Sequence, residues 1–291
     1  MLNRLTKLAA VSALIISAQA ALAQVPDYTD SDLLAVRSRI LSRFGGDAVE
    51  RHNQAMIASL PKPAANSTRV QSVSREFAEN LMRSIDMNPI TSYWGMDKYN
   101  RVTEGVNIGY CFGRATYGHL ALLKNGVDKN AIRKIWAVGP MKTGATSWAF
   151  HVSTIVRADN GEWLAVDNFP GQVLNIQKWM EYVKRISTDG KLTFFITNPE
   201  KFSVSLGTYD RVQLGLDIGR NQDWYKHYFA DLMKWFGSEQ SRPFFDENGV
   251  PDLRKVVKPA NSVAPEAIAA PTEAVPSVQD AQDALVSTDA Q

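Results

Sequence analysis

The chain has one cysteine, Cys111, no apolar run long enough to cross a bilayer, and no strong excess of either charge. A single cysteine excludes an internal disulfide framework and the cysteine-rich zinc modules. The four histidines, His52, His119, His151 and His227, lack paired ligand spacing, so no metal site is expected. Spaced glycines between Gly105 and Gly113 match neither nucleotide-binding motif, and no lysine follows them, so no cofactor is expected either. The formal net charge of +2 is too small to argue for a nucleic-acid partner. What the 291 residues do contain is 45% apolar side chains, ample for a buried core in one domain or two.

The composition is uneven along the chain. Residues 1–23 combine a short basic start (Arg4, Lys7), an apolar stretch from Leu8 to Ile16 and small residues ending in Ala21-Leu22-Ala23, the layout of a secretory leader. The stretch falls short of the roughly 20 residues that span a bilayer. The expectation is therefore a cleaved leader, a protein exported to a periplasm or secreted, and no stable membrane insertion after cleavage; an uncleaved anchor is the alternative. At the other end, residues 259–291 carry five acids (Glu266, Glu273, Asp280, Asp283, Asp289), no Lys or Arg and no aromatics, which predicts a disordered Ala/Pro-rich tail. Between Gln24 and Lys258 the balance is 30 basic to 25 acidic residues, still diffuse.

Residues 24–92 are predicted to be helical. Amphipathic spacing places helices over Ser31–Arg43, Asp47–Leu60 and Val70–Ile85, with Gly45-Gly46, Pro61 and Pro63 as breaks. The region reads equally as an integral subdomain or as a removable pro-segment. Residues 93–258 read differently: a helix over Cys111–Leu123 closed by Asn125-Gly126, strands over Ala131–Val138, Ser147–Arg157, Glu162–Asp167 and Leu192–Thr197, and helices over Ile176–Ile186 and Asp223–Phe236. Strands in hairpins flanked by helices predict an α+β fold with an antiparallel sheet.

An unpaired thiol in an exported protein is either a small buried hydrophobe or a nucleophile. A nucleophilic thiol needs its proton removed and its thiolate stabilised, by a helix N-terminus and by an imidazole that a third group holds. Cys111 opens a predicted helix after a glycine-containing loop. His151 lies in a strand whose alternation puts Trp148, Phe150, Val152, Thr154 and Val156 on one face and Ala149, His151, Ser153 and Ile155 on the other. A three-residue loop at Asp159-Asn160-Gly161, with Gly161 left-handed, would pair Ala158 with Glu162 and set Asp167 opposite Ser153, one diagonal step from His151. A two-residue Asn160-Gly161 turn would instead put the two on opposite faces.

The segments YCFGRATYGHLALLKNGV, SWAFHVSTIV and EWLAVDNF, with the following helix that carries Trp179, resemble the bacterial secreted protein glutaminases, within the transglutaminase-like branch of the papain-type fold. The resemblance covers roughly Asn107 to Met180, about a quarter of the chain. It implies a nucleophile helix packed on an antiparallel sheet, with Cys111 as nucleophile, His151 as general base and Asp167 as the acid that orients it. Asn168 stands where the family's acid is usually followed by proline, and Thr116 where a histidine is expected, with His119 further on. The implied activity is a thiol amidohydrolase that deamidates glutamine side chains of a protein or peptide through a thioester. Transglutaminase and cysteine protease chemistry use the same triad, and a non-catalytic binding module on this fold is the competing class. Asn107 and Trp94 are the candidates for a second oxyanion donor beside the Cys111 N–H.

Overall fold

The computed structural model describes residues 26–44, 46–63, 69–92, 95, 110–144, 146–201, 203–205, 228, 231, 232 and 234–236. The predicted leader (1–23), the tail (259–291) and both oxyanion candidates, Trp94 and Asn107, lie outside them. Five helices are described as complete elements, α1 (Leu33–Phe44), α2 (Gly46–Ala58), α3 (Arg75–Met87), α4 (Tyr110–Lys124) and α5 (Ile176–Lys184). Five strands, β1 (Ile132–Thr143), β2 (Thr146–Arg157), β3 (Trp163–Val166), β4 (Leu174–Asn175) and β5 (Thr193–Thr197), form one antiparallel sheet in the order β4-β3-β2-β1-β5. The fold is α+β. Residues 228, 231, 232 and 234–236, within the last predicted helix, are also helical.

Alternation sends every strand's side chains to two sides, and helices cover both. On one side Trp136, Val152, Val156, Leu164 and Phe195 pack with Leu33 and Val36 of α1, Leu81 and Ile85 of α3, and Phe112, Ala115 and Tyr117 of α4. On the other, Ile135, Ile155, Ala165 and Phe194 pack with Met56 of α2 and with Ile176, Trp179, Met180 and Val183 of α5. Helices from residues 26–92 thus contribute to both cores. The segment before α3 is also tied to the sheet through its backbone, the Val73 N–H donating to Arg157 O at 2.9 Å and the Asp159 N–H to Val73 O at 3.1 Å. Buried Arg157 adds a staple, donating to the carbonyls of Pro61, Gln71 and Asn130.

Those ties correct the predicted helix over Val70–Ile85. Its first residues are extended, because Val70 bridges Val127 and Val73 bridges Ala158, and the helix begins at Arg75 after Ser74, whose side chain caps the Phe77 N–H. Strand β1 also runs five residues past the predicted end at Val138. It passes through Gly139-Pro140 because the register shifts between Val138 and Met141, and such a bulge accommodates a proline without losing the pairing beyond it. Strand β4, only two residues long, carries no periodicity and was not predicted.

Helix α4 crosses β2 closely. Gly118 lies against Thr154, whose Oγ1 donates to the Ala115 carbonyl at 2.6 Å, so the helix backbone approaches the sheet without an intervening side chain. At its C-terminus the Val127 N–H bonds Leu122 O and the Gly126 N–H bonds Leu123 O, with Gly126 at φ +76, the glycine-closed ending that Asn125-Gly126 predicts. Gly113 permits a second close approach, since a Cβ there would overlap the buried Tyr228 ring.

Candidate active site

The hairpin between β2 and β3 sets the geometry. Gly161 has φ +84, the Ala158 N–H bonds Glu162 O at 2.7 Å, and the Gly161 N–H bonds Ala158 O at 2.9 Å, so the loop holds three residues. Thr154 accordingly pairs with Val166, Ile155 with Ala165 and Val156 with Leu164. Continued by one residue, that register sets Asp167 opposite Ser153, on the face that carries His151. The two side chains meet: His151 Nε2 lies 2.7 Å from Asp167 Oδ2.

Both carboxylate oxygens are occupied. Oδ2 also accepts from Trp179 Nε1 at 2.7 Å, and Oδ1 accepts the Phe169 backbone N–H at 3.0 Å. His151 sits between two rings, nearly parallel to Trp179 at 5.8 Å and tilted against Phe169 at 5.3 Å. The face that sequence alternation left open beside Ala149 and Ser153 is therefore filled from α5. The next residue, Asn168, donates its side-chain amide to Asp86 on α3, which ties the acid's loop to the helical region. Arg114 of α4 donates Nε to Thr91 O at 3.3 Å, a positioning contact.

Cys111, half-buried, is the second residue of α4 and is near enough to His151 to act on its ionisation. With Nε2 directed at Asp167, the nitrogen left for the thiol is Nδ1. The first amides of a helix have no partner within it and carry a partial positive charge, which favours an anion at this position. Burial alone would push the His151 imidazolium down. The Asp167 carboxylate, by charge and hydrogen bond, and then Cys111 overcome it and raise His151 to about 10. Asp167 is lowered: burial pushes it up, but the imidazolium and the donors from Trp179 and Phe169 outweigh that. The arrangement can therefore hold a protonated imidazole beside a thiol at neutral pH, with its orientation fixed from the far side.

The structure brings His151 and Asp167 into contact and sets Cys111 near enough to act on the imidazole. Sequence reasoning assigned no role to Trp179 or Phe169. Trp179 shares helical spacing with Ile176, Met180 and Val183, which marks a core position, and a core tryptophan's N–H shows no partner in sequence. Trp179→Phe keeps most of the packing and removes that donor from a buried carboxylate. It is expected to cost about 1.5–3 kcal/mol, the range for a hydrogen bond to a charged group, read from the urea midpoint. An unchanged midpoint would show the contact to be idle.

The raised histidine also makes stability depend on pH. In the unfolded chain His151 loses its proton near pH 6.5, whereas in the fold it stays charged up to about 10. The folded state binds more protons in that window, so this contribution is complete below about pH 6.5 and is lost as pH rises through 10. The thermal midpoint of the native protein is expected to fall more between pH 7 and 10 than that of His151→Gln. Parallel decline of the two would remove the pair as a source of stability.

Comparison of the chain with protein-family models, curated proteins and solved structures found no match.

Proposed function

We propose that this protein is a thiol amidohydrolase that deamidates glutamine side chains of proteins or peptides, on a papain/transglutaminase-like core with Cys111, His151 and Asp167 as its triad. One observation supports this reading above the rest: a buried Asp167–His151 pair at 2.7 Å whose imidazole lies near the thiol at the N-terminus of α4. A structural cysteine needs no such partner, and a buried histidine satisfied within the fold needs no thiol.

The chemistry runs in two halves. Cys111 Sγ, as thiolate, attacks the carboxamide carbon, forming the C–S bond and placing the electron pair on oxygen. Amide N–H groups at the start of α4 stabilise that oxyanion. Collapse breaks the C–N bond, and the His151 Nδ1 proton leaves with the nitrogen as ammonia. Water then attacks the thioester while neutral His151 takes its proton, the C–S bond breaks, and glutamate leaves the thiolate restored. Asp167 stays ionised throughout and stabilises the imidazolium.

The test is mass spectrometry of a glutamine-rich protein incubated with the native chain and, separately, with Cys111→Ala. Cysteine-dependent conversion of glutamine to glutamate without chain cleavage is expected. Fragments or cross-links would reassign the same triad to proteolysis or acyl transfer to amines, and identical spectra from the two proteins would sink the reading.

A further inference from the structure

Strand β3 ends at Val166, so Thr146–Ser153 of β2 have no strand beside them on that side among the described residues. The aromatic rings that line this open edge start at the catalytic histidine. Phe169 packs on His151 and at the same time meets Trp148 edge-on at 6.1 Å and Tyr182 edge-on at 5.7 Å, so Trp148 lies on the His151 side of β2 and not on the opposite face to which strict alternation assigns it. The Phe169 N–H is held by Asp167, and the Tyr182 hydroxyl donates to the Phe169 carbonyl at 3.5 Å. The backbone of Phe169 is thus anchored on Asp167 while its ring packs on His151.

These rings are not finished core. Trp136, Trp163, Trp179 and Trp235 are 0, 7, 0 and 3% exposed, whereas Trp148, the fifth tryptophan among the described residues, keeps accessible surface, as do Phe169 and Tyr182. Three adjoining aromatic side chains left half-covered next to a base, in a chain whose other described tryptophans are buried, form an apolar shelf continuous with the site. Burying a further aromatic side chain there removes apolar area from water on both sides and adds edge-to-face contacts.

We infer that Phe169, Trp148 and Tyr182 form a binding shelf for an aromatic side chain next to the substrate glutamine, so that the enzyme selects glutamines flanked by Phe, Tyr or Trp. This rests on the deamidase reading for its substrate, but the shelf can be tested apart from turnover. The substrates are three capped tripeptides, Phe-Gln-Ala, Ala-Gln-Phe and Ala-Gln-Ala. Ammonia release by the native protein gives kcat/KM, and isothermal titration with Cys111→Ala gives affinity without chemistry.

At least one aromatic peptide is expected to exceed the alanine peptide by about 10-fold or more in both measures, the discrimination an apolar pocket supplies. In Trp148→Ala the ratio falls toward one, while Trp148→Tyr retains most of it. Urea midpoints report whether each variant is folded, and the ratio in the native protein stands as the test if Trp148→Ala is not. Turnover or binding with equal values for all three peptides overturns the shelf and leaves the deamidase reading intact. Binding preference without any ammonia release supports the shelf and overturns the deamidase reading; neither turnover nor binding overturns both.

Discussion

Replacing His151 with alanine is expected to slow alkylation of Cys111 by iodoacetamide at pH 6 by about two powers of ten. An isolated thiol ionises near pH ~8.5 and offers only about 0.3% thiolate at pH 6, and thiolate is the reacting form. In the native protein the imidazolium beside Cys111 persists to about pH 10, held by Asp167, so its charge is present across the whole neutral range. The pH profile separates an electrostatic from a steric effect. An electrostatic effect should narrow as pH rises, whereas a steric one should persist at every pH. Equal rates at pH 6 would mean that the His151–Cys111 contact does not prime the thiol, and the proposed nucleophile would lose its main support.

Deleting residues 24–92 is expected to abolish cooperative folding rather than to uncover a more reactive Cys111. The deletion strips Leu33, Leu81, Ile85 and Met56, each at most 1% exposed, from the two sides of the sheet. At about 1.5–3 kcal/mol for each fully buried side chain, these four alone amount to roughly 6–12 kcal/mol, comparable to the total stability of a typical domain. The deletion also leaves Arg157 buried without the carbonyls of Pro61 and Gln71. Circular dichroism on heating should show no sigmoidal transition for the shortened chain. A sharp transition, or a gain in Cys111 reactivity, would favour the alternative in which the helical region is a removable cover.

The two expectations draw on different parts of what the sequence made legible. The pairing of His151 with Asp167 follows a local rule, because a three-residue loop with a left-handed glycine determines strand register, and register determines which residues share a face. Helix α4 was legible at both ends, from the apolar pattern and from Asn125-Gly126. Helix α3 was misread over its first five residues because Val70 and Val73 suit a helical pattern, while their extended state depends on Val127 and Ala158. Periodicity places Arg157 at a strand end and says nothing of its burial, which depends on three carbonyls, two of them more than 80 positions away.

The sequence by itself determined most of the secondary-structure order and the antiparallel hairpins, since these follow from interactions within a few residues or across one short loop; it left His151 and Asp167 on a shared face or on opposite faces according to the length of the Asp159-Asn160-Gly161 loop, which the structure shows to be three residues. Only the tertiary structure decided that both faces of β2 are covered, that Trp179 and Phe169 bracket the imidazole, and that Cys111 comes near His151 across 40 residues of chain. Those outcomes depend on how α4 and α5 dock on opposite sides of the sheet. Docking is selected by summed burial and shape, which side-chain periodicity constrains to a face but not to a partner.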